Sequence, residues 1–270
     1  MNQRICILFL TILLLPSGDI LAQEKSLSFR FGPGHIARQD QIFSPFNHTD
    51  WSLVNTGIRY ESRNRFHQWI DLGVGSYNPI LVPSYSFGDD EQTYPHSFLL
   101  VNLTYALGKL ISSANSAGRW TAGGFVENDI QPSSYNYGHV GSFGYFASIG
   151  LGAWARYEYN LNKQNSLSLT AQLPLAALVA RSPYLVNDDE FIENTSSHNG
   201  LKTFLAFLGD GEIQTLNRMQ QMELHVTFTH AFNNKWKLGC WYELHVLHVR
   251  EPLPLIQFRN VLNVTATLTF

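Results

Sequence analysis

The sequence predicts an all-β fold, a ten-stranded antiparallel transmembrane β-barrel with short periplasmic turns and long extracellular loops. Three observations predict it. Ten segments alternate apolar and polar residues with period two, the spacing of a strand whose faces meet different surroundings. The connections between them fall into a short and a long class that alternate along the chain. The apolar faces also carry aromatic residues near the short-turn end, at the height of a membrane interface. Composition agrees: of 270 residues, 14% are charged and 44% hydrophobic, against about 25% charged in an average soluble domain.

The chain opens with Arg4, an apolar run from Ile5 to Leu15, then Pro16, Ser17 and Gly18, and a small residue, Ala22, before Gln23. That order reads as a secretory signal peptide over 1–22, leaving 23–270 as the barrel. The run is 11 residues long, short of the about 20 that a spanning helix needs. No later apolar run is long enough either, so a membrane-resident mature chain must cross with strands. The Leu-Ala-Gln junction resembles those of exported proteins from Bacteroidetes-type bacteria.

The alternating segments lie near 26–38, 50–62, 66–77, 97–108, 118–128, 149–159, 166–175, 219–232, 236–248 and 262–270. Short turns are expected at 63–65, 110–117, 162–165 and 233–235, and long loops at 39–49, 78–96, 129–143, 178–218 and 249–258. Within the longest loop, Leu201 to Leu208 reads as a short helix. Tyr60, Phe66, Tyr105, Tyr157, Tyr159, Phe232, Trp236 and Phe270 make up the aromatic girdle. Pro33 and Pro174 fall inside strands and mark places where the ladder is irregular. A soluble secreted β-sandwich or a lipocalin-like binding barrel also alternates, but turns its apolar face inward and its wet face is rich in Lys and Glu. Here the polar face is Gly, Ser, Thr, Asn and Trp with few charges, which favours the membrane barrel.

The last strand is the cleanest: Leu262, Val264, Ala266, Leu268 and Phe270 share one face, with only Asn and Thr between them. A terminal aromatic preceded by apolar residues at every second position resembles the C-terminal insertion signal of bacterial outer-membrane β-barrel proteins. That resemblance implies residence in the cell outer membrane, contact with outer-membrane lipid and engagement by the barrel-assembly machinery.

With the apolar faces toward lipid, the other faces line the lumen. They carry Arg30, Arg59, His67, Trp69, Asp71, Glu127, Trp154, Arg156, Glu158, Glu223, His225, Trp241, Glu243 and His245, interleaved with glycines. Ten strands lie near the size at which side chains fill a barrel, so the lumen should be polar and largely filled. The sharpest polar cluster is a repeated Glu-x-His, Glu223/His225 and Glu243/His245, with Arg156 and Glu158 in the same inventory. A three-residue turn at Asn233–Lys235 pairs Glu223 with His245 and His225 with Glu243, whereas a register shifted by two sets the glutamates against each other. The crossed register reads as two carboxylate-imidazole pairs forming a structural ladder, in which the carboxylates favour protonated histidine. Metal ligation and proton-linked gating are the alternatives. Two adjacent strands alone do not give tetrahedral convergence, so no metal and no cofactor is assigned.

A net charge of −3 excludes the basic field that nucleic acid requires. Cys6 and Cys240 form neither a disulfide framework nor a structural zinc motif. The expected role is non-enzymatic: envelope structure, surface interaction with an extracellular ligand, or narrow passage of small solutes. A surface enzyme is the alternative. Omptin proteases resemble this layout in strand number, and Asp89, Asp90, Asp188, Asp189 and His198 are the candidate acids and base, without the alternating strand placement or Asp-x-His of that family. For a lipid-hydrolase site the nearest fragment is Ser196-Ser197-His198, within a loop and lacking the His-x-Ser order of such enzymes.

Overall fold

A computed structural model describes residues 24–80, 86–87, 90–91, 95–111, 118–137, 140–182, 209 and 211–270. The strands are β1 (Glu24–Asp40), β2 (His48–Arg63), β3 (His67–Tyr77), β4 (Ser86–Phe87), β5 (Asp90–Glu91), β6 (Ser97–Leu110) and β7 (Gly118–Tyr137). They continue as β8 (Val140–Asn160), β9 (Asn165–Arg181), β10 (Glu212–Thr215), β11 (Met219–Ala231), β12 (Trp236–Val249) and β13 (Leu255–Thr269). Long strands pair antiparallel with their chain neighbours, β13 pairs with β1 and β9 with β8, so the sheet closes into a barrel of ten long strands. The short β10 pairs with the upper half of β9 and continues the line that β11 begins below it. β4 and β5 form a separate small hairpin.

Tight connections and both ends of the described chain share one end of the barrel, where Lys25 and Phe270 exchange backbone hydrogen bonds. From this turn end upward, the outer face is an apolar belt. Phe31, Leu151, Leu262 and Val264 are 58%, 59%, 53% and 67% exposed, values that a water-soluble protein does not sustain around its whole circumference. Ala266 and Leu268 are half-buried on the same side, and Phe270 is exposed. Phe66, Trp120, Tyr159, Phe232 and Trp236 ring the turn end, with exposed Trp51 toward the other end. The barrel therefore has the greasy exterior of a transmembrane one.

The expected loop at 129–143 is a correction. Alternation runs on through it, giving β7 20 residues and β8 21 residues with only positions 138–139 between them. A tilted membrane strand needs about 9–11 residues, so this hairpin stands well clear of the belt. There burial still alternates, but both faces are largely polar: Gln131, Ser133 and Tyr135 are buried while Pro132, Ser134 and Asn136 are less covered. The inner face does turn apolar along β12, where Trp241, Glu243 and His245 give way to Leu247 and Val249. Once the exterior is wet, apolar side chains gain by turning inward. Two apolar clusters result at this end, one around Ile36, Phe43, Tyr77, Phe98 and Tyr135, the other around Phe146, Val179, Met219, Leu247 and Leu255. The filled lumen is thus polar in its lower and middle parts and mixed at the far end, where these clusters adjoin buried Arg38, Asp40 and Arg181. The loops expected at 39–49 and 249–258 are also shorter, with β1 and β2 separated by 41–47 and β12 and β13 by 250–254, whereas 78–96 lies between β3 and β6 as expected.

Both prolines sit at ladder irregularities. The β8–β9 register shifts between Leu151 and Gly152, opposite Pro174 and Ala176, and the β1–β2 register shifts between Gly32 and Gly34, around Pro33. A bulge accommodates a residue without an N–H and switches which parity faces inward, so Gln172 below the shift and Val179 above it both point into the barrel. The leader and the 201–208 segment lie outside the described residues.

Candidate functional site: the ionic lumen

The lumen is organised as tiers of charge. At the turn end a vestibule of about 300 Å³ is lined by Glu61, Arg63, Arg119, Arg156 and Glu158 among others. Glu158 receives Arg63 through two hydrogen bonds of 2.9 and 2.5 Å and Arg119 through one of 2.8 Å. Glu61 receives Arg63, His67 and Arg156 at 2.6, 2.9 and 3.2 Å. β2 and β8 are not neighbours in the sheet, so the Glu61–Arg156 pair is a strut across the lumen.

Above it lies the plug. Arg30 makes a bidentate pair with Asp71 at 2.8 and 2.6 Å, and Arg59 donates its Nε to the same carboxylate at 2.5 Å. The Arg59 guanidinium is sandwiched between the indoles of Trp69 and Trp241, 4.3 and 4.2 Å from their centroids. Gly57 and Gly73 make room: a Cβ at Gly57 would overlap the Arg30 guanidinium. Gly57→Ala is expected to cost about 1–3 kcal/mol as an overpacking change, read as a lowered urea midpoint of the folded barrel in detergent.

The Glu-x-His strands form the next tier. The register is the crossed one, Glu223 opposite His245 and His225 opposite Glu243. The contacts differ from the expected two separate pairs. Glu223 lies near both imidazoles, 3.4 Å from His225 and 3.7 Å from His245, while Glu243 is taken by Arg259 at 2.5 Å. A permanently charged guanidinium outcompetes an imidazole for a carboxylate. Arg259 stands opposite His245 on β13, diagonal to Glu243. Arg156 and Glu158 are not part of this tier; they belong to the vestibule. Glu127 reaches in from β7 and accepts hydrogen bonds from Asn102 and Gln221 at 2.5 and 2.9 Å. A cavity of about 30 Å³ adjoins this tier and the plug.

At the far end, buried Asp40 binds Arg181 at 2.8 Å and Arg38 at 3.4 Å, and Arg38 also bonds Gln131 at 2.5 Å. His48 and His96 pack edge to face beside them, 4.6 Å between ring centroids.

Every luminal residue named from the sequence is at least partly buried inside the barrel. Sequence reasoning missed Glu61, Arg63, Arg259, Asp129, Arg38, Asp40 and Arg181. Arg259 carries a readable signal, because the parity of Asn263 continues back through Val261 to it, beyond the strand start at Leu262 that the apolar pattern suggests. The candidate enzyme residues Asp89, Asp188, Asp189, Ser196, Ser197 and His198 lie outside the described residues, and of Asp90 only its place in β5 is described.

No protein family and no curated protein matches the chain by sequence. Among solved structures it is similar to the outer-membrane protease OmpT from Escherichia coli, with 7% identity and a TM-score of 0.48, covering 92% of this chain and 96% of that one. It is also similar to an outer-membrane channel from Pseudomonas putida F1, with 12% identity, a TM-score of 0.39 and coverage of 95% and 97%. Neisserial surface protein A aligns at 9% identity and a TM-score of 0.37, covering 91% of this chain and 97% of its own. A fold by itself does not give a function, so function has to be argued from the site.

Proposed function

We propose that this chain is a non-enzymatic bacterial outer-membrane barrel, closed to solutes at mid-height, that serves envelope structure and surface interaction. The carrying observation is the plug: a guanidinium held between two indoles and tied to Asp71, beside a cavity of about 30 Å³. That space suits a water or an ion rather than a solute. The apolar belt supports residence in lipid. The exposed Leu262, Val264 and Phe270 support a role for the last strand as the signal engaged by the barrel-assembly machinery. In this reading 1–22 is a signal peptide, the turn end is periplasmic, and an extracellular ligand meets the opposite end.

The vestibule favours narrow passage as a second reading, because it brings water up to Arg59 from below. Planar-bilayer recording of the full-length protein separates the two. No single-channel steps are expected from the wild type. Regular steps at neutral pH would overturn the closed reading in favour of passage.

A further inference from the structure

Beside the plug, three buried side chains of metal-ligand type converge from different walls of the barrel. Glu127 on β7, Glu223 on β11 and His245 on β12 each offer one oxygen or nitrogen, and these atoms lie within 4.8 Å of one another. β7 neighbours neither β11 nor β12 in the sheet. Barrel closure therefore supplies the third ligand that two adjacent strands lack.

Buried carboxylates alone would not single out a ligand; two further features do. His245 is 3% exposed and its Nδ1 has no hydrogen-bond partner among the described residues. Gln172, 2% exposed, turns its Nε2 to Glu223 at 3.4 Å and leaves its carbonyl oxygen without a partner among the described residues. Polar atoms buried in this state call for a partner. Glu127 is also held in place, since Asn102 and Gln221 both donate to its Oε1, as outer-shell groups do for a metal-binding carboxylate. The fixed cation of this tier, Arg259, is committed to Glu243, while Glu127 and Glu223 face each other with imidazoles as their neighbours.

We infer that Glu127, Glu223 and His245 bind a divalent first-row transition ion, with zinc the best match to a mixed carboxylate and imidazole donor set. The ion brings the charge that the apposed carboxylates lack and ties the β7 wall to the β11–β12 wall. This site does not depend on whether the barrel conducts.

The test uses the full chain folded in detergent, stripped with a chelator and dialysed against zinc alone, with bound metal counted per folded barrel. One tightly held equivalent is expected for the wild type. Its affinity should fall at least about tenfold in E127Q, E223Q and H245Q, and be retained in E24Q at the turn end. Heat-modifiable gel mobility verifies folding. E127Q removes one of two apposed charges and is the variant most tolerant of folding, so it decides if the others do not fold. Folded wild type without bound zinc, or binding unchanged in E127Q, overturns the site; the latter result places the zinc on surface histidines.

Discussion

Asp71→Ala is expected to destabilise the barrel by about 3–5 kcal/mol, the cost of stripping the partner from buried charge. Asp71 is 4% exposed and holds both Arg30 and Arg59, themselves 9% and 4% exposed. Removing the carboxylate leaves two guanidiniums facing each other in a tier already lined by indoles, with no other acid among the described residues bonded to either. Arginine does not shed its proton to escape. Urea unfolding in lipid vesicles, followed by tryptophan fluorescence, reads the effect directly because Trp69 and Trp241 flank Arg59. A loss below about 1 kcal/mol, the value of a solvated ion pair, would mean that water reaches the plug. The same variant in planar bilayers should show conductance steps absent from the wild type if the plug closes the lumen.

Val264→Arg is expected to cost about 2–4 kcal/mol, the penalty for a cation on the lipid face near the bilayer midplane. Val264 is 67% exposed, midway between Phe270 at the turn end and Phe258 on the same outer face, opposite Phe31 and Cys240 on the flanking strands. In water such a position would tolerate arginine within about 0.5 kcal/mol. The measurement therefore also asks what surrounds the belt. A near-neutral result in reconstituted vesicles would return the chain to the soluble class of barrels and remove the outer-membrane reading with it.

The strand count, the facing of nearly every luminal side chain and the crossed Glu223–His245 register were legible in the residues. Each follows from period-two alternation and the length of one turn, which are local properties. The loop at 129–143 was misread for a physical reason. Above Ile130 both faces of β7 are mostly polar, Gln131 and Ser133 inside and Ser134 and Asn136 outside, so no apolar stripe marks the strand, and its pairing with β8 is what carries it on. Pro174 was legible as a disturbance, though not as the bulge that restores Val179 to the interior. Arg259 is hidden because the clean apolar–polar alternation stops at Leu262, whereas the strand begins at Leu255.

The amino-acid sequence by itself determined that this is a closed, inside-polar barrel of ten long strands, because each strand's two-faced pattern specifies its own wetting without reference to distant strands. Which charges meet was decided only by tertiary structure. Glu61 with Arg156, Arg30 with Asp71, and Glu127 with Glu223 and His245 join residues on strands that are not hydrogen-bonded to one another. Their heights in the lumen depend on strand tilt and on the stagger accumulated around the whole barrel, a quantity that no single strand or hairpin carries.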